Sequence, residues 1–209
     1  MSILGDSITY GYGVDHEEAY ASLLMQESYI ESIQNLGING STLGKGQDPI
    51  SERYTSVEDD ADIIMIYAGT NDYGSTFNPV PIGDKGDKNN GTFYGALHVL
   101  YEGLMTQYPN TKPIFVTMLK RNDVVWGRPE TTPYNSLGFT MDEYYHVLID
   151  FYKSHRIDYI DIYQHEELNA LNLDLCNQYF MDGLHPNKQG HAVLKDAIAD
   201  GLKKIIGLD

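Results

Sequence analysis

The chain has little cysteine, little positive charge and no long apolar run. Cys176 is the only cysteine in 209 residues. An intrachain disulfide is therefore excluded, and one thiolate cannot make a metal site by itself. The apolar neighbours of this cysteine, Leu173, Leu175 and Tyr179, predict a partly buried structural thiol.

Lysine and arginine are also scarce. The 14 basic residues stand against 30 acidic ones, which gives a formal net charge of −16. The basic residues occur as isolated singles or pairs, such as Lys112, Lys120-Arg121 and Lys203-Lys204. A chain of this charge without a basic patch repels phosphate backbones and anionic lipid head groups. We therefore expect no nucleic-acid partner and no stable membrane association.

No apolar stretch approaches the roughly 18 residues that a membrane-spanning helix requires. No basic segment followed by an apolar one precedes the first predicted strand. We therefore expect a cytoplasmic protein, and secretion stays open if a leader preceding Met1 has been removed. The sequence carries no signal for an oligomeric state.

Motifs for metals and phosphates do not occur. His165 is followed by two glutamates but by no second histidine one turn later, so the zinc-protease pattern fails. The loop that contains Asp84 and Asp87 lacks the spacing and the bidentate glutamate of a calcium site. Neither the G-x-x-x-x-G-K-[ST] string nor the G-x-G-x-x-G string occurs. We expect no metal.

Short apolar runs alternate with helical stripes along the chain. Residues 63–67 form a continuous apolar run with β-branched members, which is typical of a parallel strand buried on both faces. Further strands are predicted at residues 2–4, 30–36, 113–119 and 157–163, and helices at residues 20–29, 93–108, 141–155 and 189–206. This alternation, without an internal repeat, predicts a single α/β domain over residues 1–209. Its expected architecture is a three-layer α/β/α sandwich with a central, mainly five-stranded parallel sheet.

Two irregular stretches interrupt the alternation. Residues 75–92 contain prolines and glycines and are longer than most connections inside compact domains, so they are predicted to be a functional or mobile loop insertion. Residues 122–137 are also irregular and include the only tryptophan, Trp126. Whether 75–92 closes over a substrate is left open by the sequence.

A serine follows the first predicted strand in the stretch Gly5-Asp6-Ser7-Ile8. Ligands of parallel α/β proteins bind at the carboxyl ends of strands, so Ser7 is a candidate nucleophile. A serine hydroxyl needs a base, and the usual base is a histidine held by a carboxylate. Asp182-Gly183-Leu184-His185-Pro186 supplies such a pair within one turn, and Asn187 is predicted to cap the following helix.

Loops at the ends of the next two strands offer donors for an oxyanion. Gly40 can bring a backbone N–H close to a substrate, Asn71 can offer its side-chain amide, and the N–H of Ser7 is a third donor. Asp72 is predicted to be structural, accepting backbone N–H groups that hold Asn71 in place.

Four separated blocks carry a family resemblance. They are Gly5-Asp6-Ser7-Ile8, Asn39-Gly40-Ser41-Thr42, Gly69-Thr70-Asn71-Asp72 and Asp182-Gly183-Leu184-His185-Pro186. In these blocks and their order, the chain resembles the GDSL, or SGNH, hydrolase family of serine esterases and lipases over nearly its full length. The resemblance implies a flavodoxin-like sandwich, hydrolysis of acyl esters through an acyl-enzyme, and no metal or organic cofactor.

The same resemblance implies the site residues. Ser7 is expected to be the nucleophile, His185 the base and Asp182 the acid that orients it, with Ser7, Gly40 and Asn71 around the oxyanion. The long 75–92 segment departs from the family pattern and leaves the specificity open.

The substrate is indicated only by the tyrosines around these loops. Tyr10, Tyr12 and Tyr73 flank the predicted catalytic loops and are candidates for lining an amphipathic substrate cleft, or they replace phenylalanine at half-buried positions. Polar, tyrosine-rich loops favour small-molecule esters with short acyl chains, such as acetyl groups on a sugar. Two alternatives stay open: an acyltransferase that uses the same triad, and a non-catalytic small-molecule binding module.

Overall fold

The protein is described by a computed structural model that covers residues 1–74, 79–123 and 134–208. Its strands are β1 (Ser2–Gly5), β2 (Gln34–Gly37), β3 (Ile64–Tyr67), β4 (Pro113–Val116) and β5 (Tyr159–Ile160). Its α-helices are α1 (Ser7–Tyr10), α2 (Tyr20–Leu23), α3 (Thr70–Gly74), α4 (Phe93–Gln107), α5 (Met141–His155), α6 (Leu173–Tyr179) and α7 (Lys188–Ile206).

The strands form one parallel sheet in the order β2-β1-β3-β4-β5. Gly5 pairs with both Gly37 and Tyr67, and Tyr67 pairs with Val116. The last residues of four neighbouring strands therefore lie in one row. The predicted five-stranded parallel sheet is confirmed, and the loops after these strands leave from a common edge.

Helices cover both faces of the sheet because successive strand residues point to opposite sides. On one side, Ile3, Met65 and Val116 belong to a core that also contains Leu194 and Ile198 of α7. On the other side lies a core that joins strand residues to α4 and α5, and its members include Leu4, Ile66, Phe115, Leu97, Leu100, Tyr144 and Leu148. The predicted three-layer arrangement is confirmed, and the continuous apolar runs reflect strands buried on both faces.

The long helices begin and end with ordinary capping signals. Thr140 accepts the N–H of Glu143 and the Glu143 carboxylate accepts the N–H of Thr140, which forms a capping box before α5. Asn187 accepts the N–H of Gly190 at 3.0 Å, so the predicted cap of α7 is confirmed.

The predicted helix over residues 20–29 is wrong in length. The α-helix ends at Leu23 and is followed by a 3-10 turn, Leu24–Gln26. The backbone of Glu27 is extended, and its carboxylate forms ion pairs with Lys195 at 3.0 Å and Lys203 at 2.8 Å, both on α7. These contacts with a distant helix hold the chain in a path that the local periodicity does not show.

Three of the predicted strands, β2, β4 and β5, are clearly shorter than expected. In place of 30–36, β2 covers Gln34–Gly37 and pairs residue for residue with the four residues of β1. In place of 157–163, β5 covers Tyr159–Ile160, opposite Phe115 and Val116 of β4, which itself ends before the predicted 119. A strand continues only while its neighbour offers backbone partners. Because β1 and β4 are short, β2 and β5, which pair with them, are short as well.

The irregular segments fall partly outside the described residues, which exclude 75–78 and 124–133 and therefore Trp126. Residues 79–92 contain no helix or strand. They are nonetheless held in place: Val80 donates to the carbonyl of Asp72 at 2.9 Å, and Lys45 donates to the carbonyl of Asn90 at 2.6 Å. These contacts join this part of the insertion to α3 and to the loop after β2.

Cys176 is buried within α6, as predicted. In the part of the chain that the structure describes, no helix is both long and apolar enough to cross a membrane.

His191 joins the first part of the chain to the last helix. It is fully buried in α7, and its Nδ1 accepts the N–H of Tyr20, the first residue of α2, at 3.2 Å. Burial, together with the nearby His185, lowers the pKa of His191 from 6.5 to about 4. The unfolded chain therefore takes up a proton below pH 6.5 that the folded protein does not take up until about pH 4.

We predict that acid destabilises the wild type more than the His191→Asn variant, whose amide oxygen can accept the same N–H without titrating. Between pH 7.5 and 5 the wild type should lose about 2 kcal/mol of unfolding free energy relative to the variant. Urea unfolding of both proteins at the two pH values measures this difference. A cavity left by the smaller side chain lowers the variant's stability at both pH values and cancels in the comparison. If the wild type and the variant differed in unfolding free energy by the same amount at both pH values, the prediction would be contradicted.

Candidate active site

Ser7 begins α1 directly after β1. The preceding Asp6 caps this helix, with its Oδ1 accepting the N–H of Ile8 at 2.9 Å. The Ser7 Oγ lies 2.9 Å from Nε2 of His185, 178 residues further along the chain. The structure thus brings together the serine of the first block and the histidine of the last.

Asp182 orients His185 through side-chain and main-chain contacts. Its Oδ2 lies 2.7 Å from Nδ1 of the imidazole, while its Oδ1 accepts the N–H groups of His185 at 2.8 Å and Leu184 at 3.0 Å. Burial alone would raise the pKa of Asp182, but the hydrogen bonds from His185 and Leu184 outweigh it, and the pKa is lowered. The ionised carboxylate holds the proton on Nδ1, which leaves Nε2 free to accept the Ser7 hydroxyl proton.

Asn71 lies in α3, at the end of β3, and is joined to the loop that contains Gly40. Its Nδ2 donates to the carbonyl of Ser41, the residue after Gly40, at 2.9 Å. A side-chain amide carries two N–H groups, so this contact uses one of them.

Asp72 holds the next part of the same loop. Its two carboxylate oxygens accept the N–H groups of Leu43 at 2.7 Å and Gly44 at 2.8 Å. Burial raises the pKa of Asp72 to about 7, against the lowering effect of these two donors. The predicted structural role of Asp72 is confirmed: it fixes the loop after β2 against the turn that carries Asn71.

Arg53 is a further part of this framework, and no local sequence pattern identifies it. Its guanidinium donates to the carbonyl of Leu36 at 2.8 Å, to that of Gly5 at 3.0 Å and to the hydroxyl of Ser41 at 2.9 Å. It therefore ties the ends of β1 and β2 to the residue that contacts Asn71. The only signal in the sequence is an arginine in a chain poor in cations.

The segment after β4 joins the framework from the other side. Asn122 donates its N–H to the carbonyl of Gly183 at 2.8 Å, within the loop that carries His185. Arg121 is buried, donating to Asp123 at 2.7 Å and to the carbonyl of Thr70 at 3.3 Å. The loops after β3 and β4 and the His185 loop are thus linked by hydrogen bonds.

Asp6 contributes a second carboxyl group near His185. Burial raises its pKa to about 6, while the N–H of Ile8 and the charges of His185 and Arg121 lower it. Asp6 therefore places a second, fully buried carboxyl group close to the serine and the histidine.

The three tyrosines proposed as substrate contacts lie in different surroundings. Tyr12 packs its ring on that of His185, with centroids 4.6 Å apart. Tyr10 is 55% exposed and lines an open cleft of about 330 Å³ beside α1, together with Val14, His16 and Asn35. Tyr73 is buried in the core, edge-on to Tyr144, which is a packing position, so Tyr10 and Tyr12 are the better candidates for substrate contacts.

Within the described ranges, no group of three His, Cys, Asp or Glu side chains is arranged to hold a metal ion. The acidic loop at Asp84 and Asp87 is explained by internal contacts. The Asp87 carboxylate accepts the N–H of Asp84 at 3.0 Å and the hydroxyl of Thr92 at 2.7 Å.

A serine that meets a carboxylate-held imidazole at the carboxyl edge of a parallel sheet is the arrangement that serine hydrolases use. The family model of the GDSL-like lipase/acylhydrolase family matches residues 3–193. The chain therefore belongs to this family and is an esterase-type enzyme. A non-catalytic binding module, one of the two alternatives left open above, does not agree with this membership.

Solved structures resemble the whole chain. A Lactobacillus plantarum protein shares 30% identity with a TM-score of 0.85, over 99% of this chain and 95% of that one. A protein from Chitinophaga pinensis described as a possible lipase shares 23% identity with a TM-score of 0.76, over 100% and 98% of the two chains. A GDSL-like lipase from Bacteroides thetaiotaomicron shares 19% identity with a TM-score of 0.66, over 98% and 87%. The comparison with curated proteins found no match.

We predict that Arg53→Lys lowers the unfolding free energy by about 1–3 kcal/mol, because a lysine cannot serve carbonyls of two strands and a hydroxyl at once and leaves buried acceptors unpaired. Urea unfolding measures the loss. Arg156 is exposed and offers a matched control. Its backbone is left-handed, but arginine and lysine are equally strained there, so Arg156→Lys should stay within about 0.5 kcal/mol of the wild type. Equal stabilities for the two variants would show that the Arg53 contacts do not hold the framework.

Proposed function

We propose that this protein hydrolyses short-chain carboxylic esters through an acyl-enzyme, with Ser7 as nucleophile, His185 as general base and Asp182 as the group that orients the base. The observation that carries the proposal is the unbroken hydrogen-bond chain from Ser7 Oγ to His185 Nε2, at 2.9 Å, and from His185 Nδ1 to Asp182 Oδ2, at 2.7 Å. Such a chain turns a weak nucleophile into a reactive one.

In the first step, Ser7 Oγ attacks the ester carbonyl while its proton moves to Nε2 of His185. The imidazolium that forms is stabilised by the Asp182 carboxylate. The tetrahedral intermediate then collapses, and His185 returns the proton to the departing alcohol. Water, deprotonated by the same imidazole, then attacks the carbonyl of the acyl-enzyme. The bond between the acyl carbon and Ser7 Oγ breaks, His185 returns the proton to Ser7 Oγ, and the carboxylic acid is released.

The negative charge of the tetrahedral intermediate is taken up by dipoles. We assign the N–H of Ser7, the N–H of Gly40 and the second N–H of the Asn71 amide to this role. The support is the placement of the loop after Gly40: the carbonyl of Ser41 accepts the first N–H of Asn71 at 2.9 Å, the hydroxyl of Ser41 accepts from Arg53 at 2.9 Å, and the N–H of Leu43 donates to Asp72 at 2.7 Å. Donors fixed before the reaction need no reorganisation when the charge develops, and each contributes about 3 kcal/mol in comparable sites.

The volume of the cleft beside α1 supports a small substrate, and the cleft is lined by residues that follow Ser7 in the chain, not by Ser7 or His185 themselves. Its volume of about 330 Å³ is at the lower end of the range for ligand sites, roughly 300–1,000 Å³. Its lining includes the polar side chains of Tyr10, His16 and Asn35. We infer a short acyl ester of a polar alcohol, such as an acetylated carbohydrate, from this small volume and from the polar, tyrosine-rich loops around Ser7.

We predict that Ser7→Ala reduces the hydrolysis of p-nitrophenyl acetate by at least about 10⁴-fold, because removal of the nucleophile leaves only binding and the oxyanion donors. A fluorophosphonate probe should label the wild type and leave the variant unlabelled. Ser22→Ala, which removes another hydroxyl early in the chain, serves as the control and should keep the wild-type rate. Equal rates of p-nitrophenyl acetate hydrolysis for wild type and Ser7→Ala would contradict the proposal.

A series of p-nitrophenyl esters tests the acyl length. We predict that kcat/KM is highest for acetate or butyrate and falls towards octanoate and laurate, because a cleft of about 330 Å³ leaves most of a long chain exposed to water. Adding alcohol acceptors and following the products distinguishes hydrolysis from acyl transfer. A maximum at octanoate or laurate would overturn the preference for short chains without affecting the assignment of Ser7.

A further inference from the structure

The ring of Tyr12 covers one side of the imidazole of His185. The two ring centroids are 4.6 Å apart and their planes are inclined by 45°. Tyr12 is 47% exposed, whereas His185 is only 8% exposed. The tyrosine therefore stands between the imidazole and solvent, in direct contact with the group that carries the proton in the proposed reaction.

The backbone around Tyr12 is shaped to produce this contact. Gly11 and Gly13 both have left-handed conformations, with φ of 87° and 83°, which side chains with a Cβ rarely adopt. The N–H of Tyr12 donates to the carbonyl of Ser7 at 3.0 Å. A Cβ on Gly13 would overlap the side chain of Met181, the residue before Asp182. The turn after the nucleophile is thus folded tightly against the loop that carries the base.

The other groups around His185 are polar or ionisable. The Asp182 carboxylate contacts Nδ1 and the Ser7 hydroxyl contacts Nε2. The charge of His185 lowers the pKa of Asp6, at the start of α1, and that of His191, on α7. Burial and, to a lesser extent, the charge of Asp182 raise the pKa of the Cys176 thiol in α6. Tyr12 differs from these neighbours because its aromatic ring packs directly on the imidazole.

We propose that Tyr12 is a positioning residue for the general base: its ring stabilises the imidazolium form of His185 and holds the imidazole in the orientation in which it meets both Ser7 and Asp182. The face of a tyrosine ring attracts a cation within about 6 Å of the ring centroid. In the proposed reaction, His185 becomes such a cation when it takes the Ser7 proton. The inference rests on the proposed function, because only a base that is protonated during the reaction benefits from the ring.

The test compares the pH dependence of kcat/KM for p-nitrophenyl acetate in the wild type and in Tyr12→Leu. Activity falls in acid as His185 becomes protonated. Without the ring, the imidazolium is less stable, so the acid limb should move to lower pH by about 0.5 unit and the plateau of kcat should fall about threefold, with little change in KM.

Three further variants make the test specific. Tyr12→Phe keeps the ring without the hydroxyl and should leave the acid limb in the wild-type position. Tyr134→Leu makes the same substitution on an exposed tyrosine outside the proposed site and should also leave it there. Tyr12→Met keeps apolar bulk without a ring and should reproduce the shift, and it replaces Tyr12→Leu if that variant does not fold.

The competing outcomes are distinguishable. A raised KM with an unmoved acid limb would show that Tyr12 contacts the substrate and would overturn the inference. An NMR titration of the His185 ring in wild type and variant gives a readout that does not depend on turnover, and equal midpoints would also overturn it. An active Ser7→Ala variant would refute the proposed function, while the NMR comparison would still report whether the ring stabilises the imidazolium.

Discussion

The level ending of neighbouring strands is the constraint on which the proposed site depends. Gly5 lies beside Gly37 and Tyr67, and Tyr67 lies beside Val116, so four parallel strands stop in one row. Each following loop then starts from the same edge of the sheet, which is where parallel α/β proteins bind ligands. A slip of one residue in the register would turn the strand side chains to the wrong core and displace the loops together. Burial of both faces therefore fixes the position of the nucleophile relative to the proposed oxyanion donors.

Polar contacts then convert a shared edge into a fixed geometry. Asp72 and Arg53 are ionisable groups that are removed at least in part from water. Asp72 accepts the N–H groups of loop residues, and Arg53 donates to carbonyls at the ends of two strands and to the hydroxyl of Ser41. Burial of a carboxylate is costly, which is the reason for the raised pKa of Asp72, about 7. The gain is rigidity, because a loop whose N–H groups are held by a buried acceptor cannot move away without leaving that acceptor unpaired.

The sequence predicted the parts of the fold and site that depend on local patterns. A serine after a strand, and an aspartate and a histidine in one turn, are visible because their spacing alone brings the groups close, as Asp182 and His185 show at 2.7 Å. Strand lengths were harder to predict because a neighbour sets them: β2 ends with β1. Arg53 and the Tyr12 contact were missed for the same reason. Their partners lie in other segments of the chain, and no periodicity encodes a contact between segments.

The charge of the protein explains why the proposed oxyanion site consists of dipoles. The chain carries a net charge of −16, and Asp6 and Asp182 both lie near His185. A free cation near the serine would pair with these carboxyl groups. Arg53 and Arg121 are instead engaged by backbone carbonyls, a hydroxyl and Asp123. Backbone and amide N–H groups can face a developing negative charge without attracting the catalytic carboxylate away from the imidazole. In the proposed mechanism the site therefore separates two tasks: Asp182 and the ring of Tyr12 act on the cation that forms on His185, and N–H groups act on the anion that forms on the substrate.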